Sequence, residues 1–182
     1  PPYTKPTQAG IVAHFAAIAE AVPDLPLIAY NVPGRTGVNM TPATVRELWR
    51  IPSVVGLKES SNDLVQISQI AHDLPEGKTL LGGDDALLLP TIAVGGHGIV
   101  SVAGNVVPGL MRELLMAARA SDLEAAQRQQ ATLQPLFEAL NLEPNPIPIK
   151  AALALAGMAY SAPRLPLLSA TEATRIALRP AL

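Results

Sequence analysis

The 182-residue sequence contains no cysteine, and only 3 % of its residues are aromatic and 15 % charged. Without cysteine the chain can form neither disulfides nor thiolate metal sites, which is compatible with a reducing cytoplasm. Its three histidines lack the spacing of zinc ligands. A net charge of −2 gives no positive surface for nucleic acid or an anionic membrane. We therefore expect neither a metal nor a nucleic-acid partner.

Long hydrophobic runs are also missing. No apolar stretch reaches the roughly 20 residues that a membrane-spanning helix needs, and we recognise no secretory signal. Apolar residues nevertheless make up 49 % of the chain, which is ample for a core and leaves a sparingly charged surface. That balance favours a contact with a partner subunit. We expect a soluble, cytoplasmic protein that forms a homo-oligomer and does not contact membranes.

Strand-like and helix-like segments alternate from residue 7 to about residue 105. Short runs rich in Val, Leu and Ile are typical of buried parallel strands, and the segments between them have helical spacing or helix caps. Such alternation predicts βαβ units and a parallel sheet. The predicted strands are 27–31, 53–58, 79–83 and 98–102, and the predicted helices are 8–21, 43–50, 64–74 and 84–89.

Only helices are predicted after residue 105, at 106–119, 122–140, 147–158 and 171–178. Four βα units are half of an eight-stranded barrel, which usually needs about 250 residues. The predicted fold is therefore α/β, the C-terminal half of a (β/α)8 TIM barrel followed by a C-terminal helical domain. Residues 1–105 would form the catalytic half-barrel, and residues 106–182 its last helix and the helical domain. We expect the chain to be the C-terminal part of a longer protein.

Lys58 ends the predicted strand 53–58 and is the most informative residue of the sequence. In α/β barrels, chemistry takes place at the carboxyl edge of the strands. A partly desolvated amine at that edge can attack a carbonyl and form a Schiff base. The alternative is a lysine that extends from a strand end into solvent.

Other suitable groups follow neighbouring strands at the same edge. Tyr30 could move protons during Schiff-base formation, and Arg35 could bind a substrate carboxylate. Gly83 would let a small substrate approach the backbone closely. Each has a simpler interpretation, with Tyr30 as a packing residue and Arg35 as a solvated loop charge. The adjacent carboxylates at 84–85 favour a helix cap over a magnesium site.

Five motifs together resemble the dihydrodipicolinate synthase family, within the pyruvate-dependent class I aldolase superfamily. They are YNVPGRTG at 30–37, GLKE at 56–59, GDD at 83–85, GGHGIVSV at 95–102 and EPNPIPIK at 143–150. The resemblance covers essentially the whole chain, with the motifs in the right order and spacing. It implies a (β/α)8 barrel with a C-terminal helical domain, usually a homotetramer. It also implies condensation of pyruvate with aspartate-4-semialdehyde to 4-hydroxy-tetrahydrodipicolinate, in lysine and diaminopimelate biosynthesis.

The resemblance also implies roles for individual residues. Lys58 matches the Schiff-base lysine, and Tyr30 matches the proton-relay tyrosine. Because pyruvate would be bound as a covalent imine on Lys58, no cofactor is expected. Arg35 matches the residue that binds the semialdehyde carboxylate, and Val100 a position whose backbone lines the pyruvate pocket. Tyr3 matches the tyrosine that reaches into the neighbouring subunit's active site and completes the relay.

The family's Gly-Thr-Thr-Gly-Glu segment, which supplies the remaining relay threonines, is absent from these 182 residues. Two alternatives therefore stay open. One is another pyruvate-dependent aldolase, such as N-acetylneuraminate lyase or a keto-sugar-acid aldolase. The other is a non-catalytic half-barrel remnant that only binds a partner. The GRTG sequence at 34–37 and the GLKE sequence at 56–59 favour the synthase over the sugar aldolases.

Overall fold

The computed structural model describes residues 4–158 and 162–182 of the chain. It divides into two compact units, Pro1–Val100 and Ser101–Leu182. The division into a catalytic half-barrel at 1–105 and a helical region at 106–182 stays a prediction.

Strands and helices alternate in the first unit, as the sequence predicts. The strands are β1 (Leu27–Asn31), β2 (Val54–Glu59), β3 (Thr79–Gly82) and β4 (Gly98–Ile99). The helices are α1 (Gln8–Ala21), α2 (Pro33–Thr36), α3 (Pro42–Trp49), α4 (Leu64–His72) and α5 (Leu88–Ala93), with a 3-10 turn at Asp85–Leu87.

Side-chain caps begin three of these helices. Thr7 accepts a hydrogen bond from the backbone N–H of Gly10 at the start of α1. Thr41 caps α3, where Pro42 occupies the first turn and has no N–H to leave unpaired. Asp63 accepts from two backbone N–H groups at the start of α4. Each cap satisfies donors that a helix start would otherwise leave unpaired, which fixes where the helix begins.

The four strands form one parallel sheet in the order β1-β2-β3-β4. The register pairs Tyr30 with Lys58 and Asn31 with Glu59 across β1 and β2. Lys58 in turn pairs with Leu81 of β3. All the strands run the same way, so their carboxyl ends lie along one edge, and the residues that follow them meet there.

The two faces of the sheet differ in burial because successive side chains of a strand point to opposite faces. Ala29, Leu57 and Leu80 are at most 1 % exposed and belong to a core shared with the helices. On β1 the alternate residues Ile28 and Tyr30 are 54 % and 44 % exposed. The sheet therefore packs against helices on one face and carries exposed large side chains on the other, although parallel sheets are usually covered on both faces.

Three local predictions for the first unit were wrong. The helix predicted at 84–89 is instead the 3-10 turn Asp85–Leu87 followed by α5, which continues to Ala93. The segment after β1, predicted as a loop, forms the short helix α2, which ends at Gly37 in the left-handed conformation (φ 74°). The fourth strand ends at Ile99 and not at residue 102. In the second unit, the Ser101 hydroxyl accepts from the Gly104 N–H, which lies in the 3-10 turn Ala103–Asn105.

In the part of the second unit that the structure describes, the further helices are α6 (Pro108–Arg119), α7 (Leu123–Leu140), α8 (Ile147–Leu155) and α9 (Glu172–Leu178), with a 3-10 turn at Arg179–Ala181. The buried face of α7 includes Leu133, Leu136 and Phe137. Among the described residues, no helix is long and apolar enough to cross a membrane.

Glu143 ties the segment before α8 to the start of α9. Its Oε1 accepts hydrogen bonds from the backbone N–H and the hydroxyl of Thr171, at 2.9 and 3.0 Å. Hydrogen bonding to the Thr174 side chain, then to the Thr171 backbone, lowers the pKa of Glu143 below its ordinary value. The charged carboxylate is therefore the form that the folded unit prefers.

Candidate active site

Lys58 and Tyr30 lie side by side at the carboxyl edge of the sheet. The register places them opposite each other on adjacent strands, so both side chains leave the same face. The Lys58 Nζ lies 4.1 Å from the centroid of the Tyr30 ring, within the range of a cation–π contact. Lys58 is half-buried and Tyr30 is exposed. The structure therefore brings together the amine and the phenol that the sequence places at neighbouring strand ends.

Gly83 completes the immediate surroundings of the amine. A Cβ atom at this position would lie 2.8 Å from the Lys58 Cε and 1.7 Å from the Ser60 Oγ. Real side chains do not approach so closely, so only glycine leaves room for both neighbours. The Gly83 N–H donates to the carbonyl of Glu59 at 2.9 Å, which holds it against the end of β2.

Ser60 is a neighbour of the amine that the sequence did not point to. Its hydroxyl oxygen is buried and, within the part of the chain that the structure describes, has no hydrogen-bond partner. Its backbone N–H donates to the carbonyl of Asn31 at 2.8 Å and so continues the pairing of β1 with β2. Its position directly after the lysine and glutamate of the GLKE motif is the only signal that sequence reasoning could have used.

The remaining predicted site residues are Arg35, Val100 and Tyr3. Arg35 lies in α2, which begins two residues after β1, and its side chain is exposed. Val100 follows β4 at the same edge, and its N–H donates to the Gly82 carbonyl at 2.9 Å. Tyr3 lies outside the described residues.

A buried polar network lies on the opposite face of the same two strand ends. Asn31 and Glu59, which directly follow Tyr30 and Lys58 in the sequence, are each 1 % exposed. The Asn31 Nδ2 lies 3.0 Å from both carboxylate oxygens of Glu59. The Glu59 carboxylate also accepts from the Ser61 N–H at 2.7 Å and from the Gln66 Nε2 at 3.3 Å.

The network extends from the strand ends into the neighbouring loop. The Asn39 side chain exchanges hydrogen bonds with Gln66 at 2.8 and 3.1 Å and accepts from Asn31 at 2.8 Å. The Asn31 Oδ1 accepts from the Met40 N–H at 2.9 Å. Sequence reasoning missed this network, although strand alternation already implies that residues 31 and 59 face away from the amine.

Of the two carboxylates that follow Gly83, Asp84 acts as a helix cap. Asp84 accepts a hydrogen bond from the Ala86 N–H and begins the 3-10 turn that leads into α5. No cluster of three or more potential metal ligands occurs among residues 4–158 and 162–182.

The arrangement at the carboxyl edge is suited to chemistry on a small carbonyl compound. A primary amine provides a nucleophile, and a phenol beside it can donate and accept protons. Glycine backbone next to the amine leaves space for a substrate of a few atoms. The buried network on the other face is entirely polar, and it links the two strand ends that carry the amine and the phenol.

Comparisons with known proteins agree with this geometry. A family model described as the dihydrodipicolinate synthetase family matches residues 1–182. The chain is 48 % identical over 179 residues to 4-hydroxy-tetrahydrodipicolinate synthase of a Cyanothece species, a match that covers 98 % of this chain and 61 % of the relative.

Solved structures of dihydrodipicolinate synthases have nearly the same backbone as this chain over the matched residues. Dihydrodipicolinate synthase from Aquifex aeolicus superposes with a TM-score of 0.95 at 40 % identity, over 99 % of this chain and 61 % of that one. The chloride-inhibited synthase from Acinetobacter baumannii, solved with pyruvate, gives a TM-score of 0.95 at 39 % identity, over 100 % of this chain and 62 % of that one. The α/β fold with a parallel sheet is thereby confirmed. The chain spans about 60 % of the length of these relatives, and its assignment to their C-terminal part stays a prediction.

Proposed function

Because the chain belongs to the dihydrodipicolinate synthetase family, we propose that the protein containing it condenses pyruvate with L-aspartate-4-semialdehyde to 4-hydroxy-tetrahydrodipicolinate. This reaction belongs to the biosynthesis of diaminopimelate and lysine. The observation that carries the proposal is the Lys58 amine, placed 4.1 Å from the Tyr30 ring and against Gly83 at the carboxyl edge of a parallel sheet.

The first chemical steps take place on the amine. Neutral Lys58 attacks the ketone carbon of pyruvate, and the resulting carbinolamine loses water to give an imine. Loss of a proton from the pyruvate methyl group converts the imine to an enamine. The enamine carbon then forms a carbon–carbon bond with the aldehyde carbon of the second substrate, whose oxygen takes up a proton, and the imine to Lys58 is restored. Attack of the semialdehyde's amino group on that imine carbon closes the ring and breaks the bond to Lys58, which leaves as the free amine. The imine nitrogen itself accepts the electron pair that the methyl proton leaves behind, so the proposal includes no further cofactor.

The neighbouring groups have supporting roles in this proposal. Tyr30 moves the protons that carbinolamine formation and dehydration require. Gly83 and the backbone at Val100 line the pyruvate pocket. Arg35, on α2, binds the carboxylate of the semialdehyde through its planar guanidinium.

We also propose the finer description of the fold and assembly. The sheet would form the C-terminal half of a (β/α)8 barrel, since its exposed face carries large side chains such as Ile28 and Tyr30. The second unit would contribute the last barrel helix and a C-terminal helical domain. The whole protein would be a cytoplasmic homotetramer in which Tyr3 enters the active site of a neighbouring subunit.

A steady-state assay on the protein that carries this chain, at its natural length, tests the proposed reaction. Condensation of pyruvate with the semialdehyde should be measurable and should be lost in Lys58→Ala. Cleavage of N-acetylneuraminate or of a keto-sugar acid without condensation would assign the protein to another aldolase. Absence of every reaction, with pyruvate unbound, would identify a non-catalytic remnant.

A further inference from the structure

We infer that Asn31 and Glu59 are positioning residues: their buried hydrogen-bonded pair fixes the spacing between the Lys58 amine and the Tyr30 ring. The inference rests on the proposed function for its catalytic consequence. Its structural part, the spacing itself, can be measured without any substrate.

The pair is joined directly to the two reacting side chains through the backbone. Asn31 follows Tyr30 and Glu59 follows Lys58, and the register sets each pair opposite the other across β1 and β2. Because neighbouring residues of a strand point to opposite faces, the Asn31–Glu59 bonds join the strands on the helix face while the amine and ring meet on the other. If one strand end shifted relative to its neighbour, the buried hydrogen bonds would break and, at the same time, the amine would move away from the ring.

The pair lies at the carboxyl ends of two paired strands. Glu59 is the last residue of β2 and Asn31 the last residue of β1. Beyond them, the Ser60 N–H donates to the Asn31 carbonyl, and the Gly83 N–H donates to the Glu59 carbonyl. Strand ends fray most readily, so side-chain bonds there have most effect on local position.

The composition of the network also argues for positioning. A leucine of similar volume at 59 would fill the same space, as Leu57 does two residues earlier on the same face with 0 % exposure. Burying a carboxylate costs free energy unless several hydrogen-bond donors surround it. Glu59 has donors from Asn31, Ser61 and Gln66. Directional bonds of this kind specify one arrangement, whereas apolar packing tolerates several.

The test is an exchange of the two functional groups, made in the protein at its natural length. Asn31→Asp leaves two carboxylates facing each other, and Glu59→Gln leaves two amides. The double variant N31D/E59Q again pairs one carboxylate with one amide. Leu48→Ala, in α3 and 1 % exposed, is the control for loss of stability alone.

Two measurements are compared across these variants. The first is the NMR chemical shift of the Lys58 ε-methylene protons. The ring current of Tyr30 moves this resonance upfield, and the variant Tyr30→Leu identifies it because the upfield shift is then lost. The second is the rate at which borohydride traps pyruvate on Lys58. We expect Asn31→Asp to lose the upfield shift and to slow trapping by about tenfold or more, with the double variant regaining both. Leu48→Ala should keep both.

Each outcome decides the inference. Wild-type shifts and trapping rates in both single variants, despite lower stability, would overturn it. Equal losses in the double variant and in Asn31→Asp would also overturn it, since exchange of the groups should restore the pair. If the wild-type protein shows the ring-shifted resonance but traps no pyruvate, the proposed function fails, and the shifts of the variants alone decide the positioning role.

Discussion

Gly83→Ala tests the geometry around the amine with the smallest possible change. The added methyl would lie 1.7 Å from the Ser60 Oγ and 2.8 Å from the Lys58 Cε. Ser60 can rotate away without losing a hydrogen bond, because its hydroxyl has no partner among the described residues. Lys58 must instead move its ε-carbon by about 1 Å to reach an ordinary carbon–carbon contact of about 3.5–4.0 Å.

The two consequences of that movement differ in size. Overpacking of this kind costs about 1–3 kcal/mol of folding stability. A misplacement of about 1 Å at the nucleophile, however, can slow a reaction by about 100-fold. We therefore expect a folded protein in which pyruvate trapping on Lys58 falls by about two orders of magnitude.

Single-turnover trapping with pyruvate and borohydride, together with thermal denaturation, measures both effects. Gly109→Ala is the matched control, since an added methyl there would meet nothing within 4 Å. The double variant Gly83→Ala/Ser60→Gly removes the clash with Ser60 and leaves the one with Lys58. Wild-type trapping in Gly83→Ala would refute the reasoning, and full recovery in the double variant would show that displacement of Lys58 is not the cause.

Three further predictions concern the core, the second substrate and pH. Leu57→Ala, at a side chain that is 0 % exposed, should cost about 2–5 kcal/mol in chemical denaturation, whereas Leu168→Ala, 69 % exposed, should change stability little. Arg35→Ala should leave pyruvate trapping intact and raise KM for the semialdehyde about tenfold or more, and equal loss of both would disprove its separate role. Because folding lowers the pKa of Glu143, its stabilising contribution is present above the unfolded pKa and lost as pH falls through the folded one. Glu143→Gln should therefore flatten the acid limb of a Tm-against-pH curve, and an unchanged limb would contradict this.

Much of the first unit could be predicted because its signals are local. The apolar run before Lys58 and the Thr41 cap each specify an element without reference to the rest of the chain. Parallel strands then bring residues at their carboxyl ends to one edge, which is why Tyr30 and Lys58 could be placed together although 28 positions separate them.

The parts that could not be predicted depend on contacts made by folding. Nothing in the order of residues says that the Ser60 hydroxyl occupies the space beside Gly83, because that contact joins the ends of two strands. The network around Glu59 likewise needs Gln66 and Asn39 to arrive from a helix and a loop. Helix α2 was missed because it is only four residues long and begins at a proline that also suits a turn.

The covalent capture of pyruvate by Lys58 is the central claim, and mass spectrometry of the borohydride-treated protein tests it most directly. Lys78 provides an internal comparison, because its ammonium donates to the backbone carbonyls of Ile51, Pro52 and Val54 and is engaged there. We predict one reduced pyruvate adduct per chain, on the peptide that contains Lys58 and none on that of Lys78, and no adduct in Lys58→Ala. An unlabelled Lys58 peptide, or equal labelling of both lysines, would contradict the account.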